Sequence, residues 1–443
     1  MPSLIQKLIR SQKATFTFLL AMLFFPLFFH GYHYGLLPWV KGGDEPHYLL
    51  IINSFLNDGD FDLRNNYDSA LKGYDQAGYK FASKPLDRHI WFKGGKIGGP
   101  DVYEGPEKWI LDAEQHPVPL MKKNIQEDFS NIPEYPAHPV GIAFLLAPIL
   151  WFFRGGRFIE PLALFCSFAA VAGAAYLFHR LVRRFNPSLP AANTALLLTF
   201  LASPIWMNAR TLFMEPYLLF FAVASYLCFI ERKSGFWTGI LLGLGGLLKP
   251  NFLILVLPPA LYLLRERKWK EVLLLGIGPF LSALTFLCMN DLFFGSPFIS
   301  PQPVTLGNPL HEAYYLLFSW NHGILMFSPI AVYCFFAWKK FHKAWGGEAL
   351  LIGSGFILYF LFMVFCWAGP WGWSYGPRHV VPVLPFLMVP MALFWDDYGK
   401  FGKGLRWLSA AAIVVSVFIN FLGALDGYWD SNPITILAGH IGP

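Results

Sequence analysis

The chain has 443 residues, of which 55% are hydrophobic, 18% aromatic and only 14% charged. That mixture excludes an ordinary soluble domain and a disordered one, and it places the chain among polytopic membrane proteins. A formal net charge of +6 would suggest nucleic acid only if the basic residues gathered on a polar face, and most of them lie in short loops between apolar runs.

Lys7, Arg10 and Lys13 precede a first apolar run at 14–37, and no small-residue cleavage site is evident before Tyr32. An uncleaved first helix with a cytoplasmic N-terminus is expected. Just beyond it stands Gly43-Asp44-Glu45-Pro46-His47-Tyr48. A carboxylate at the bilayer centre costs ~2.5 to 3.5 kcal/mol on insertion scales, so this pair belongs at the boundary, facing water or a polar cavity. Pro46 suits a first helical turn whose amides Asp44 or Glu45 could cap, which is the bland reading. The sharper one is a base kept at the membrane surface.

Residues 39–139 read as one large extracytoplasmic loop with interfacial helices, including a juxtamembrane helix at 46–56. The Asp58, Asp60, Asp62 spacing invites a calcium loop, but Leu63 and Ser69 stand where that loop needs Gly and Glu, so a solvated turn is expected. A loop this long commonly serves as a lid or as part of a binding site. The next apolar stretch, 140–157, is expected to form a short interfacial or dipping hairpin. Further apolar stretches begin near residues 161, 191, 215, 235, 251, 272, 317, 349, 380 and 405, giving an all-α polytopic protein of about eleven spans. Residues 1–425 form a single bundle on this reading, and 426–443 a short extracytoplasmic tail. The five cysteines lie in apolar runs without metal or disulfide spacing and read as small hydrophobes.

Six basic clusters mark the cytoplasmic side: Lys7 to Lys13, Arg180 to Arg184, Arg232 and Lys233, Arg265 to Lys270, Lys339 to Lys343, and Lys400 to Arg406. They fall on alternate turns only if 140–157 does not cross. Outside these clusters and the large loop stand Arg154 and Arg157, beside the hairpin, and the solitary cations Arg210, Lys249 and Arg378. The last three fall on the outer side at the ends of apolar runs, against the topological bias, where an anion would explain them.

The outer rim therefore collects Asp44 and Glu45, the turn Arg210 to Pro216 with Glu215, Leu248-Lys249-Pro250-Asn251, and Trp371-Gly372-Trp373-Ser374-Tyr375-Gly376-Pro377-Arg378-His379. With Glu134-Tyr135-Pro136-Ala137-His138-Pro139 at the end of the loop, the order of motifs resembles the GT-C glycosyltransferases. That group includes protein O-mannosyltransferases and aminoarabinose transferases of lipid A. The resemblance covers the first two thirds of the chain, and the Gly-Pro-Arg-His turn resembles a motif of bacterial members near the end of the bundle.

The resemblance implies a membrane glycosyltransferase of the bacterial inner membrane, taking a polyprenyl-phosphate-linked sugar on the outer face and transferring it with inversion. It implies Asp44 as general base, with Glu45 or Glu215 orienting the acceptor or holding a metal. Arg378, Lys249 and Arg210 would bind phosphate. Such chemistry needs a carboxylate near the acceptor hydroxyl and fixed cations for the departing phosphate. Tyr135, His138, Trp371, Tyr375 and His379 are candidate substrate contacts, the aromatics by stacking on sugar faces. The one candidate cofactor is a divalent metal, which Glu45, His47 and His138 could hold. The acceptor could be a glycan, lipid or protein. A transporter or flippase of lipid-linked sugars is the first alternative, and a non-catalytic envelope scaffold the second.

Overall fold

The computed structural model describes residues 4–33, 44–67, 90–92, 102–104, 108–111, 117–119, 133–154, 158–298, 306–366, 375–426 and 433. Trp371, Arg157, most of the 39–139 loop and nearly all of the 426–443 tail lie outside those residues.

Helices dominate. Among the described residues six are long and apolar enough to cross a membrane: Gln12–Phe29, Ile159–Phe185, Trp269–Phe294, Pro329–Cys366, Arg378–Tyr398 and Lys403–Leu425. Side chains such as Leu273, Phe280, Phe336 and Val414 stand exposed on them, as a lipid-facing surface requires. The chain is an all-α polytopic membrane protein. Pro329–Cys366 breaks at Gly346, where φ is +44°, and Trp338 comes back against Gly353. The two halves therefore fold as a hairpin, matching the two stretches expected near 317 and 349. Glu215–Arg232 has 18 residues, and Leu189–Leu201, Gly235–Leu248 and Pro250–Arg265 are shorter. The expected eleven is reached only when these cross as well.

Gly235–Leu248 packs closely on Trp269–Phe294. At Gly243 and Gly278 an added Cβ would collide with the neighbouring backbone, so the stripe of small residues lets two main chains touch where lipid offers no hydrophobic drive.

One end of the bundle carries Arg180, Arg184 and Lys233. Arg180 and Glu231, near the ends of two adjacent helices, pair at 2.8 Å, and Lys233 and Arg184 both approach Glu348 just after the Gly346 turn. Glu215 begins the helix that Arg232 ends, so Glu215 lies at the opposite end of the bundle. Lys249 follows the helix that starts at Gly235 and lies at that same opposite end.

At that end the juxtamembrane segment is Glu45–Asn53, continued by a π-helical turn, Ser54–Asp58, and ended by Gly59. The two aspartates that follow, Asp60 and Asp62, serve the turn. Asp60 accepts from Ser54 Oγ at 2.9 Å, and Asp62 accepts from the amide of Glu134 at 2.9 Å. Within the loop, Ile90–Phe92 pairs antiparallel with Glu134–Pro136, and Val102–Glu104, Lys108–Leu111 and Pro117–Pro119 form a small antiparallel sheet.

The expected hairpin at 140–157 is instead one helix among the described residues, Gly141–Leu150 running into a 3-10 turn, Trp151–Phe153. Thirteen residues reach about 20 Å, short of the roughly 30 Å hydrocarbon core. Its Phe144 joins Phe55, Phe61 and Phe293 in an aromatic cluster that fixes it against the loop.

Candidate active site

Each charged residue of the site sits at a helix end for a local reason. Pro46 and Pro216 start two helices, which sets Asp44, Glu45 and Glu215 in or just before first turns, where free amides favour negative charge. Pro250 ends the α-helical run of Gly235–Leu248 and leaves Lys249 at its carboxyl end, where a cation is favoured. Gly376 takes φ +75°, a left-handed conformation that favours glycine, and with Pro377 it turns the chain so that Arg378 and His379 begin the next rod.

The turns bring five of these side chains together. Arg378 Nη2 donates to Asp44 Oδ2 at 3.0 Å. Lys249 Nζ donates to Glu215 Oε1 at 2.6 Å, and the same oxygen lies 3.8 Å from Arg378 Nε and 3.5 Å from His379 Nδ1. His138 Nε2 stands 3.9 Å from Asp44 Oδ1. Glu215, Arg378 and His379 are buried, while the Asp44 side chain keeps 23% of its surface exposed. Buried ion pairs of this kind are weak evidence of stability and better evidence of a working site.

The cluster opens onto a cavity of about 350 Å³. Lys249, His138 and His379 line its polar side, and Phe144, Phe286, Met289 and Phe293 its apolar side. Tyr135 stacks on Phe293 with centroids 4.7 Å apart, at the edge of this wall.

Several candidates are placed elsewhere. Glu45 turns its carboxylate to the amide of Leu212, which donates to Oε1 at 2.6 Å, because it stands a helical step of about 100° round from Asp44; that bond ties two segments. Arg210 sends Nη2 to the carbonyl of Gly423 at 3.1 Å, so its guanidinium anchors the last helix instead of joining Lys249 and Arg378 on Glu215. Tyr375 is buried, with its hydroxyl donating to the carbonyl of Ile419 at 2.8 Å and its ring packed against Phe327. Of the metal candidates, His47 and His138 stack with ring centroids 5.8 Å apart, but His47 Nδ1 is 2.6 Å from the hydroxyl of Tyr67 and Glu45 is held as above. Among the described residues no group of three or more His, Cys, Asp or Glu side chains is placed to hold a metal ion.

Two neighbours carry no sequence signal of their own. Phe213 lies under the Arg378 guanidinium, 4.2 Å from ring centroid to Cζ, two residues before Glu215. Tyr48 is buried one helical turn after Asp44, and burial, reinforced by the Asp44 carboxylate, pushes its phenol up from the ordinary value.

No family model matches the sequence, and no curated protein matches it. Two solved structures are similar to the chain. One is ArnT from Cupriavidus metallidurans in the apo state, at 14% identity and a TM-score of 0.47, covering 91% of this chain and 64% of that one. The other is ArnT from the same organism bound to undecaprenyl phosphate, at 15% identity and a TM-score of 0.49, covering 97% and 72%.

Proposed function

We propose that the chain is a membrane glycosyltransferase that moves a sugar from a polyprenyl-phosphate donor to an extracytoplasmic acceptor, with inversion at the anomeric carbon. The observation that carries this reading is the convergence of Asp44, Arg378, Glu215, Lys249 and His379 beside an apolar cavity, at the end of the bundle opposite the basic clusters. By the positive-inside rule that end faces out of the cytoplasm.

Asp44 takes the proton of the acceptor hydroxyl. The bond from the anomeric carbon to the phosphate oxygen breaks as the acceptor oxygen attacks the opposite face, and the electron pair passes to the phosphate. Lys249, at the cavity wall, and Arg378 meet the charge that develops there. A cation ~4 Å away is worth ~4 kcal/mol at an effective dielectric of ~20, so these two side chains weigh heavily on the barrier. Arg378 offers a bidentate fork and Lys249 a point charge. His138 and His379 supply polar contacts to the sugar, and the phenylalanines of the cavity suit the first isoprene units.

The test is product analysis with radiolabelled polyprenyl-linked sugars and the purified protein in a bilayer. Label on an acceptor, with release of polyprenyl phosphate, supports the proposal. Transbilayer movement of the labelled lipid without cleavage would establish a transporter instead.

A further inference from the structure

We propose that Glu215 is a charge-matching residue that lets this site favour a phosphate diester over a phosphate monoester, and so favour the donor over the spent lipid phosphate. The inference rests on the phosphate role given above to Lys249 and Arg378. One carboxylate oxygen receives Lys249 at 2.6 Å and faces Arg378 Nε at 3.8 Å and His379 at 3.5 Å. The side chain is 1% exposed, so salt and water screen it little. With the imidazoles uncharged, Asp44 and Glu215 balance Lys249 and Arg378, and the four side chains sum to zero.

Into that neutral cluster the sugar donor brings the single negative charge of a diester. During transfer the hydroxyl oxygen bonds to the anomeric carbon and its proton goes to Asp44. The bond to the phosphate oxygen breaks with its electron pair, leaving a monoester with two negative charges. The total is unchanged at that instant. When Asp44 gives its proton to water, the dianion faces a neutral cluster that holds two carboxylates, and repulsion from them favours release. Without Glu215 the cluster carries one net positive charge and clamps the dianion more tightly than the monoanionic donor.

The proposal is tested by binding to the full-length protein at pH 8, above the second ionisation of a phosphate monoester. The two probes are polyprenyl monophosphate and its methyl diester. The wild-type chain is expected to bind the diester at least as tightly as the monoester, although the monoester carries more charge. In Glu215→Gln the ratio of monoester to diester affinity is expected to rise by about tenfold or more. An unchanged ratio in that variant, or a wild-type preference for the monoester of about tenfold or more, overturns the role of Glu215. Should the variant fail to fold, the wild-type ratio decides alone. If neither lipid binds the folded wild-type chain, the phosphate reading itself falls.

Discussion

Arg378 reaches back 334 residues along the chain to Asp44, with Nη2 3.0 Å from Oδ2. The same guanidinium rests on Phe213 and faces Glu215 through Nε. One side chain thus touches the carboxylate proposed as base and the carboxylate that holds Lys249, and the site is a connected unit built from four distant stretches of sequence.

Asp44→Asn keeps the shape of the side chain and removes its basicity. Transfer is expected to fall by about 10² to 10⁴-fold while the protein stays inserted and monodisperse. Radiolabelled sugar transfer and size-exclusion chromatography check this; full activity would rule out Asp44 as base.

Arg378→Ala removes a cation facing the proposed phosphate position. Native mass spectrometry of the purified protein with added polyprenyl phosphodiester is expected to show the lipid bound to the wild type and lost from the variant, with affinity about a hundredfold weaker or more. Equal retention would separate Arg378 from the phosphate.

Glu45→Gln tests whether the second carboxylate of the pair is structural. Its bond to the Leu212 amide weakens, at a cost of about 1 kcal/mol, so thermal stability is expected to drop slightly. Activity should fall far less than in Asp44→Asn, and an equal loss would show Glu45 in the chemistry.

Tyr375→Phe deletes the hydroxyl that donates to Ile419. A stability loss of about 0.5–1.5 kcal/mol is expected with KM unchanged. A raised KM for the sugar donor would return Tyr375 to the substrate.

Gly376→Ala puts a side chain at φ +75° and 3.2 Å from the Phe327 ring. The strain is about 1–2 kcal/mol and falls on the turn that aims Arg378. Activity is expected to fall more steeply than melting temperature; the reverse would make the turn a matter of stability alone.

Much of this site was legible because charge is conspicuous in an apolar sequence. Glu215, Lys249 and Arg378 stood out as ionisable groups at the ends of hydrophobic runs, and Pro or Gly beside each marked a helix terminus. What the sequence does not carry is direction round the helix. Asp44 and Glu45 are neighbours on the chain, yet one meets Arg378 and the other a backbone amide. Arg210 has the same signature as Lys249 and points to the last helix. Tyr375 stands in an aromatic, glycine-rich run that reads like a sugar platform, but its ring fills a gap against Phe327 and Gly423. Phe213 is one more apolar residue in a sequence full of them, and only the fold shows it beneath a guanidinium. Gly141–Phe153 folds as a single short helix whose aromatic partners come from the loop and, through Phe61, from Phe293, contacts with no local trace.

Arg378 begins a rod of mixed pitch, in which 3-10 turns at Arg378–Val383 and Val389–Leu393 alternate with short α-helical turns at Leu384–Met388 and Phe394–Tyr398. A 3-10 residue advances about 2.0 Å and an α-helical one about 1.5 Å, so both the reach and the heading of the guanidinium depend on how many residues the rod contains. Adding or removing one residue near Pro390 would shift Arg378 lengthwise by about 1.5–2 Å and rotate it by roughly 100°. The segment is therefore strict in number even where its composition is not, for an insertion there would carry Arg378 away from Asp44 without altering any side chain of the cluster.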